Sequence, residues 1–470
     1  MRQAVIIIHG IGEQRPMDTL RAFVAGALGP ERAFSKPDRI DETLELRRLH
    51  VPPGKHGGYV RNETDFYEFY WQHLMQAPGW RPVVEWLLYW LFHPWKLNTR
   101  LREVWYWLAP IAAIAALVAV AAFVVQWPAL QSWVNGLRVV DVPLVALALL
   151  LAWKLGWPAL KWITTGWLER FMLGYLGDVV RYLIPDPPNV ASRHAIRTAG
   201  LKLLRGLHED KLRRYERIIL VGHSLGSVIA YDLITWFWQE QHHLVELDDP
   251  RTGKRFVETL PFETEPEPLP DDQSPLEDLH DQLPNLEAFR DRQWSLWQDH
   301  RKKEGFPPLP WLITDLVTLG SPLAHADVLI ADGRSNLDRG ICQREFPTCP
   351  PELDDPRDKG LLSRKYHVDG KTHEVCILHH GAPFVVTRWT NLYFPGDFIG
   401  GPLSDLLGKG IKDVELKDGH VVHRWLSHLH YWDNKEQKAC EALKAALNLN
   451  ETKSADDSMS QFVVIEFEMR

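Results

Sequence analysis

The chain has few cysteines, no excess of basic residues and no export signal, and each absence excludes a class of protein. Its four cysteines show no C-x-x-C spacing, which fits reduced cytosolic thiols better than a disulfide framework. The net charge of −8 provides no basic face for a nucleic-acid partner. The start, MRQAVIIIHG, lacks the n-region, h-region and cleavage site of a signal peptide. We therefore expect the N-terminus to stay in the cytoplasm.

Two long apolar segments stand out against this background. Residues 104–126 carry no charge, and as a helix they would span roughly 34 Å, enough for a bilayer core of about 30 Å. Residues 142–160 are a second candidate, interrupted only by Lys154 near their end, where a lysine can reach the interface. The pair predicts a transmembrane hairpin, and a buried helical hairpin in a large soluble core is the alternative.

The basic residues around this hairpin predict its orientation. They precede the first span and follow the second: Lys96, Arg100, Arg102, Lys161 and Arg170. The connector holds only Arg138. Because basic flanks stay on the cytoplasmic side, we expect a multi-pass protein of the inner membrane with its main domain in the cytoplasm. The tryptophan-rich residues 79–96 suit either a helix in the interface or a core helix.

The rest of the chain alternates between strand-like and helix-like patterns. Short apolar runs end in glycine turns, at residues 3–9, 216–222, 311–323 and 382–403. Residues 191–215 have helical spacing with a basic face. The pattern predicts an α/β protein with a mostly parallel central sheet flanked by helices.

The stretch VGHSLGS places Ser224 at the centre of a G-x-S-x-G motif, between a strand-like run and a helix-like run. Strand, G-x-S-x-G and helix together form the nucleophile elbow, a sharp turn that holds the serine in a strained conformation. Side chains at Gly222 and Gly226 would collide with the neighbouring strand and helix. We therefore expect Ser224 to be a nucleophile, and the alternative is a tight turn that happens to contain serine.

A serine nucleophile needs a base, and the base needs an orienting acid. In this architecture both follow the serine, the acid first. For the acid we expect Asp397, in the loop PGDFIGGP after a predicted strand, with Asp327 as the alternative. For the base we prefer His428 among the histidines of HVVHRWLSHLHYW, with His430 as the alternative. The pairs His242–His243 and His379–His380 lack an accompanying carboxylate spacing, so we expect no metal and no cofactor.

An oxyanion hole needs two backbone N–H groups aimed at the developing charge. One should belong to Leu225, directly after the nucleophile. The other should come from the glycine loop HGIG at residues 9–12, where the amide of Ile11 is the natural donor. We expect His9 to hold this loop by hydrogen bonds, and Gly10 and Gly12 to let the backbone come close.

These pieces together resemble the α/β-hydrolase superfamily, in particular its bacterial lipase-like members and the lipase-like relatives that remodel lipid anchors. The matching pieces are IIIHGIGEQ, VGHSLGS, VTLGSPL, WTNLYFPGDFIGGP and SHLHYW. In such relatives the histidine often stands three residues before a Tyr-Trp pair, which is the position of His428. The resemblance implies an α/β-hydrolase fold and a Ser224–His428–Asp397 triad, supported by His9, Gly10, Gly12, Gly222, His223 and Gly226.

The chain departs from this family in roughly 200 residues, including the predicted hairpin, that lie between the oxyanion strand and the elbow strand. We expect the first part of a hydrolase domain, a membrane-associated insertion, the elbow part, an acidic proline-rich insertion or lid, and a part with the acid and histidine loops, at residues 1–78, 79–170, 171–244, 245–300 and 301–470. Residues 245–290 of the acidic insertion show little periodicity, so we expect a partly ordered excursion, and the alternative is a solvated loop.

The function that we expect is a membrane-anchored serine esterase of the lipase or phospholipase type. Its partners would be a lipid or acyl-ester substrate and the bilayer, without nucleic acid. A thioesterase or protein-acyl esterase with the same triad is one alternative. A catalytically inactive, membrane-tethered scaffold is another.

Overall fold

The structure is a computed structural model of the chain, and part of the chain is described in it. The described residues are 1–10, 17–29, 33–38, 47–56, 59–75, 89, 93–98, 101–102, 105–106, 182–183, 187–210, 213–242, 244–248, 255–259, 275–302, 311–353, 361–368, 371–416, 424–433 and 436–450.

Strands and helices are numbered along the described part of the chain. The strands are β1 (Arg2–Ile8), β2 (Phe34–Pro37), β3 (Arg47–Val51), β4 (Gly54–His56), β5 (Tyr59–Arg61), β6 (Glu63–Phe69), β7 (Arg217–His223), β8 (Leu244–Asp248), β9 (Arg255–Thr259), β10 (Ile313–Leu319), β11 (Leu361–Val368), β12 (Lys371–Leu378), β13 (Arg388–Tyr393) and β14 (Lys412–Glu415). The α-helices are α1 (Asp18–Leu28), α2 (Pro187–His208), α3 (Leu225–Gln241), α4 (Pro275–Gln282), α5 (Leu286–Lys302), α6 (Ala326–Leu329), α7 (Arg334–Cys342), α8 (Ser404–Leu407) and α9 (Gln437–Leu447). Short 3₁₀ helices lie at Gln72–Leu74, Pro94–Lys96, Pro322–His325, Pro383–Val385 and Arg424–Leu429.

An eight-stranded, mostly parallel sheet is the centre of the described fold. Its spatial order is β14-β13-β10-β7-β1-β6-β3-β2. The six strands from β14 to β6 run parallel, β3 runs antiparallel to β6, and β2 runs antiparallel to β3. The prediction of an α/β protein with a mostly parallel sheet flanked by helices is therefore confirmed.

The central strand β1 shows why both faces of the sheet are covered. Ala4, Ile6 and Ile8 belong to the cluster of buried side chains that includes those of α2, α3, α4 and α5. Val5 and Ile7 point to the opposite face and pack with α1 and α9. Because side chains alternate along a strand, a continuous apolar run supplies both layers at once.

The order of the strands reverses at β1. From β1 the chain later adds β6 on one side and β7 on the other, so the strand order reverses at this point. In open α/β sheets, ligands bind at the carboxyl ends of the strands at such a reversal. The end of β1 is paired with the end of β7 at Ile8 and Gly222, which brings the predicted glycine loop and the elbow side by side.

The opposite, amino-terminal end of the sheet is held by a buried arginine and by late segments of the chain. Arg217 is fully buried and donates to Asp315 Oδ2 at 2.6 Å and to Asn448 O at 2.8 Å. Gln3 Nε2 donates to Leu449 O at 3.2 Å. Truncation before residue 448 would therefore remove hydrogen-bond acceptors from buried polar groups, which is costly.

The predicted acidic insertion at 245–300 is more ordered than its composition indicated. The hairpin β8–β9 and the helices α4 and α5 occupy its described parts. Leu276, Leu279 and Phe289 are fully buried in the core. The low periodicity of residues 245–290 concealed α4, whose acidic residues lie between the apolar positions Leu276 and Leu279 at helical spacing.

The predicted transmembrane hairpin falls almost entirely outside the described residues. Of segments 104–126 and 142–160, only Trp105 and Tyr106 are described. Among the helices that the structure describes, none combines the length and the apolar character that crossing a bilayer requires. The hairpin therefore stays a prediction.

Candidate active site

The nucleophile elbow has the strained geometry that the motif predicts. Ser224 lies between β7 and α3 with φ 53° and ψ −130°, a backbone conformation that non-glycine residues rarely adopt. Its backbone N–H donates to Leu319 O at 3.0 Å, which ties the turn to the end of β10. Leu225 is the first residue of α3, and the amides of a first helical turn have no partner within the helix. The Ser224 side chain and the Leu225 amide therefore lie together at the carboxyl end of β7.

Glycine is required on both sides of Ser224 by lack of space. A Cβ on Gly226 would lie 2.1 Å from Ile8 O, and one on Gly222 would lie 2.4 Å from Ser227 Cα. Both obstacles are backbone atoms, which cannot move aside as a flexible side chain can. The predicted reason for these two glycines therefore agrees with the packing of α3 against β1 and β7.

The glycine loop after β1 lies directly against the elbow. A Cβ on Gly10 would come within 2.8 Å of Ser224 Cβ. His9 is fully buried, its Nδ1 lies 2.7 Å from Gly10 O, and Trp71 Nε1 donates to His9 O at 3.0 Å. Burial lowers the pKa of His9 to about 4 despite the hydrogen bond to Gly10, so the ring is neutral at pH 7. These contacts agree with a role for His9 in holding the loop, and Ile11 and Gly12 lie outside the described residues.

The predicted acid and base meet in a buried hydrogen bond. Asp397 lies in the acid loop, residues 394–403 between β13 and α8, and His428 lies in the base loop, residues 424–433 after β14. His428 Nδ1 is 2.7 Å from Asp397 Oδ2, and both residues are buried. Because a carboxylate only accepts, Nδ1 donates, and the neutral imidazole carries its lone pair on Nε2. That is the tautomer in which a histidine can take a proton from a serine.

The surroundings of Asp397 keep it ionised. Its Oδ1 accepts from Ile399 N at 2.9 Å, and its Oδ2 also accepts from the Tyr431 hydroxyl at 2.8 Å. Burial by itself raises the pKa of Asp397, but His428 and these hydrogen bonds outweigh it and lower the pKa to about 2. Asp397 therefore presents a negative charge to the imidazole throughout the physiological range.

His223 links the elbow to the base loop. Its Nε2 lies 2.9 Å from His428 O, and because a carbonyl only accepts, the imidazole donates. The two rings are 4.9 Å apart between centroids, and the Trp432 ring stands edge-on at 4.8 Å. Burial, and to a lesser extent His428, lowers the pKa of His223 to about 3. A neutral histidine next to Ser224 thus holds the backbone of the residue that is predicted to be the base.

The alternative base and acid have other partners. His430 Nδ1 is 3.0 Å from Asp433 Oδ2, and its side chain is 35% exposed at the surface of the base loop. Asp327, in α6, accepts from Asn98 Nδ2 at 3.2 Å. Among the described contacts, neither residue reaches the His428–Asp397 pair, which favours His428 over His430 and Asp397 over Asp327.

Sequence reasoning did not single out two residues that contact this pair. Tyr431 donates to Asp397, and Gly320 leaves space for the pair, since a Cβ there would lie 2.8 Å from Asp397 Oδ2 and 3.0 Å from His428 Nδ1. Gly320 also has φ +54°, where L side chains are strained. Gly320 belongs to the motif VTLGSPL and Tyr431 to the motif SHLHYW, so these motifs could have indicated that both residues lie near the site.

The paired histidines make contacts of an ordinary structural kind. His242 Nδ1 lies 3.2 Å from Trp238 O at the end of α3, and His379 Nδ1 accepts from Gly381 N at 3.1 Å. His243 lies outside the described residues. In the described ranges, no three histidine, cysteine or carboxylate side chains converge in a way that could hold a metal ion.

Together these residues place a strained serine, a helix amide and a histidine–carboxylate pair at the carboxyl ends of neighbouring strands. Such an arrangement can transfer a proton from a hydroxyl and hold a developing oxyanion. Comparisons with known proteins add no assignment: no protein-family model, no curated protein and no solved structure matches the chain.

Proposed function

We propose that this protein is a membrane-anchored serine hydrolase of the α/β-hydrolase type that cleaves carboxylic esters of lipids. The observation that carries the proposal is the positive-φ Ser224 on the same edge of the sheet as the buried Asp397–His428 pair. Such strain costs about 1–3 kcal/mol and is found mainly at functional sites, where the surrounding structure enforces it. The acid after β13 and the histidine after β14 also follow the chain order Ser, Asp, His of this fold.

The proposed reaction has two half-reactions, acylation of Ser224 and hydrolysis of the acyl-enzyme, and the same groups act in both. His428 Nε2 takes the proton of Ser224 Oγ while Oγ attacks the ester carbonyl carbon. The negative charge that develops on the carbonyl oxygen is held by the Leu225 amide and, by prediction, by the Ile11 amide. His428 then gives the proton to the leaving alcohol, and an acyl-Ser224 remains. Water then attacks the acyl carbonyl carbon while His428 takes its proton, the bond from that carbon to Ser224 Oγ breaks, His428 returns the proton to Oγ, and the carboxylic acid is released.

Asp397 and His223 act on the base without exchanging protons in this scheme. Asp397 stays ionised, fixes the Nδ1–H tautomer and stabilises the imidazolium that forms in each half-reaction. His223 holds the carbonyl of His428, so that the ring keeps its place while its charge changes. Asp397 therefore contributes orientation and charge stabilisation, and His223 contributes orientation.

Exposed aromatic and apolar side chains support a lipid substrate. Trp95 precedes the predicted first span and Tyr106 lies near its start, and the two are 66% and 61% exposed. Exposed Trp and Tyr next to a transmembrane segment are typical of the membrane–water interface. Leu429, directly after the base, is 60% exposed. With the predicted hairpin, these side chains favour a catalytic domain at the cytoplasmic face of the inner membrane.

A fluorophosphonate probe tests the serine chemistry on the full-length protein. Wild type should be labelled at Ser224, and Ser224→Ala should not. His428→Gln should lower the labelling rate by about 10³-fold or more, whereas the matched control His430→Gln should stay within about twofold. Absence of labelling in wild type would favour the inactive scaffold, and equal losses in both histidine variants would contradict the choice of base.

A substrate panel then tests the ester class. Wild type should release fatty acid from phospholipid vesicles faster than it hydrolyses short soluble esters, and Ser224→Ala should do neither. Preferential cleavage of acyl thioesters or of acylated peptides would move the assignment to a thioesterase or a protein-acyl esterase with the same triad.

A further inference from the structure

His325, which lies outside the strands of the sheet, contacts the acid loop. This residue ends the 3₁₀ helix Pro322–His325 after β10 and is 2% exposed. Its Nε2 lies 2.9 Å from the carbonyl oxygen of Phe398, the residue after Asp397. Because a carbonyl only accepts, Nε2 donates, and His325 fixes the backbone at the centre of the acid loop.

The other ring nitrogen of His325 is bound by Asn98. Asn98 Nδ2 lies 2.9 Å from His325 Nδ1 and 3.2 Å from Asp327 Oδ1. Asn98 Oδ1 accepts from Leu101 N at 3.1 Å, so the orientation of the amide is determined at both ends. An amide nitrogen only donates, so His325 Nδ1 accepts, which agrees with the proton on Nε2. The hydrogen bonds therefore run in one consistent direction, from Asn98 through His325 to Phe398.

Asn98 belongs to a segment of the chain that sequence analysis assigned to the membrane insertion. Its neighbour Leu97 is 7% exposed and packs with Val328 of α6, together with Leu101 and Trp105. The described residues just before and at the start of the predicted first span are thus packed on the domain that carries the acid loop. This packing orders the segment from which Asn98 reaches His325.

We propose that Asn98 and His325 are positioning residues for Asp397, so that the segment leading into the predicted hairpin supports the active site. The catalytic consequence rests on the proposed function, whereas the ordering of the acid loop does not. Loss of the Asn98 amide removes the donor to His325 Nδ1. The His325 imidazole can then rotate, and its hydrogen bond to the Phe398 carbonyl weakens. Asp397 then shifts relative to His428 without any change in the residues that contact substrate.

Hydrogen–deuterium exchange of the full-length protein in detergent tests the ordering directly. Asn98→Ala and His325→Leu should speed exchange in peptides that cover residues 394–403 by about fivefold, the change expected in local opening for the loss of one net hydrogen bond. His325→Gln should retain the wild-type rate, because its amide can accept from Asn98 and donate to Phe398. Asn336→Ala is the matched control, since its Nδ2 donates to the Asp332 carbonyl, a contact that does not involve the acid loop.

Enzyme kinetics on the same variants test the consequence. Asn98→Ala and His325→Leu should lower kcat about fivefold to tenfold and leave KM unchanged, with recovery in His325→Gln. The double variant Asn98→Ala/His325→Leu should lose no more than the worse single variant, because both act through one contact.

The outcomes separate this inference from the proposed function. Unchanged exchange in the acid loop of both Asn98→Ala and His325→Leu would overturn it, whether or not the protein is a hydrolase. Faster exchange confined to the acid loop supports it even if wild type fails to react with a fluorophosphonate. Equal acceleration in Asn336→Ala would also overturn it, because the effect would then be a general loosening of the domain.

Discussion

The nucleophile elbow and the pair of acid and base loops meet at one edge of the sheet, but different forces hold them there. The elbow is contiguous in sequence, and its shape is fixed by close backbone packing, as a Cβ on Gly226 would lie 2.1 Å from Ile8 O. The acid and base loops are joined by hydrogen bonds between groups far apart in the chain, Asp397 with His428 and His223 with the His428 carbonyl. Steric constraint on one side and electrostatic constraint on the other should therefore respond differently to substitution.

The elbow has no room for an additional side chain, so Gly226→Ala should have the largest effect on stability and activity. The added methyl group has to displace the backbone of β1 or α3, so the variant should lose about 3 kcal/mol or more in free energy of unfolding and all detectable labelling by a fluorophosphonate. Thermal unfolding and labelling measure the two effects.

Gly200→Ala is the matched control for this variant. Its Cβ would also be crowded, at 2.6 Å, but by the flexible side chain of Leu233 rather than by backbone. Alanine is moreover the better helix former. A wild-type melting temperature and wild-type labelling in Gly226→Ala would contradict the steric account of the elbow.

Substitutions in the hydrogen-bonded acid and base loops should remove activity while the fold remains, and Asp397→Asn tests this. Turnover should fall by about 10³-fold to 10⁴-fold, because an amide no longer favours the Nδ1–H tautomer or stabilises the imidazolium. The depressed pKa of Asp397, about 2, also adds about 2 kcal/mol to stability relative to an unfolded value near 4.

The pH dependence of this contribution has a definite sign. Asp397 binds its proton less readily when the protein is folded, so its stabilising contribution is complete above about pH 4 and is lost as the pH falls towards about 2. The difference in free energy of unfolding between wild type and Asp397→Asn should shrink across that window. A difference that stays constant from pH 5 to pH 2 would show that Asp397 is not stabilised in its ionised form.

His223 offers the smallest and sharpest test of the connection between the two sides. His223→Leu should lower kcat about tenfold, the effect of one lost hydrogen bond on the position of His428, with little change in KM. His223→Gln can donate to the same carbonyl and should recover most of the rate. Because the pKa of His223 is about 3, neither variant should change the shape of the pH–rate profile between pH 5 and pH 8. A profile altered by His223→Gln would mean that His223 takes part in proton transfer.

The same contrast explains which features could be predicted from the sequence. The elbow could, because Gly222, Ser224 and Gly226 stand together between a strand pattern and a helix pattern. Asp397 and His428 could be ranked from chain order and the family motif, and the structure places them in contact. The order of strands on the far side of β1 could not be read from local patterns, because strand pairing depends on long-range contacts.

Contacts that depend on loop conformation were not predictable. The bonds from Asn98 to His325 and from His325 to Phe398 join three segments that no motif connects. The helix α4 was overlooked for another reason: Leu276 and Leu279 have helical spacing, but the surrounding acidic and proline-rich residues hid it. Composition indicated a partly ordered excursion, whereas the burial of these two leucines stabilises a helix.

The contacts at the amino-terminal end of the sheet have a consequence for biosynthesis. Gln3 and Arg217 find their carbonyl partners at Leu449 and Asn448, and the predicted base arrives only with residue 428. A ribosome therefore exposes the segment predicted to insert in the bilayer long before it delivers the groups that complete the sheet and the triad. Under the proposed function, translation order would keep the nascent chain inactive until the predicted hairpin has inserted, so that hydrolysis would begin only at the membrane surface.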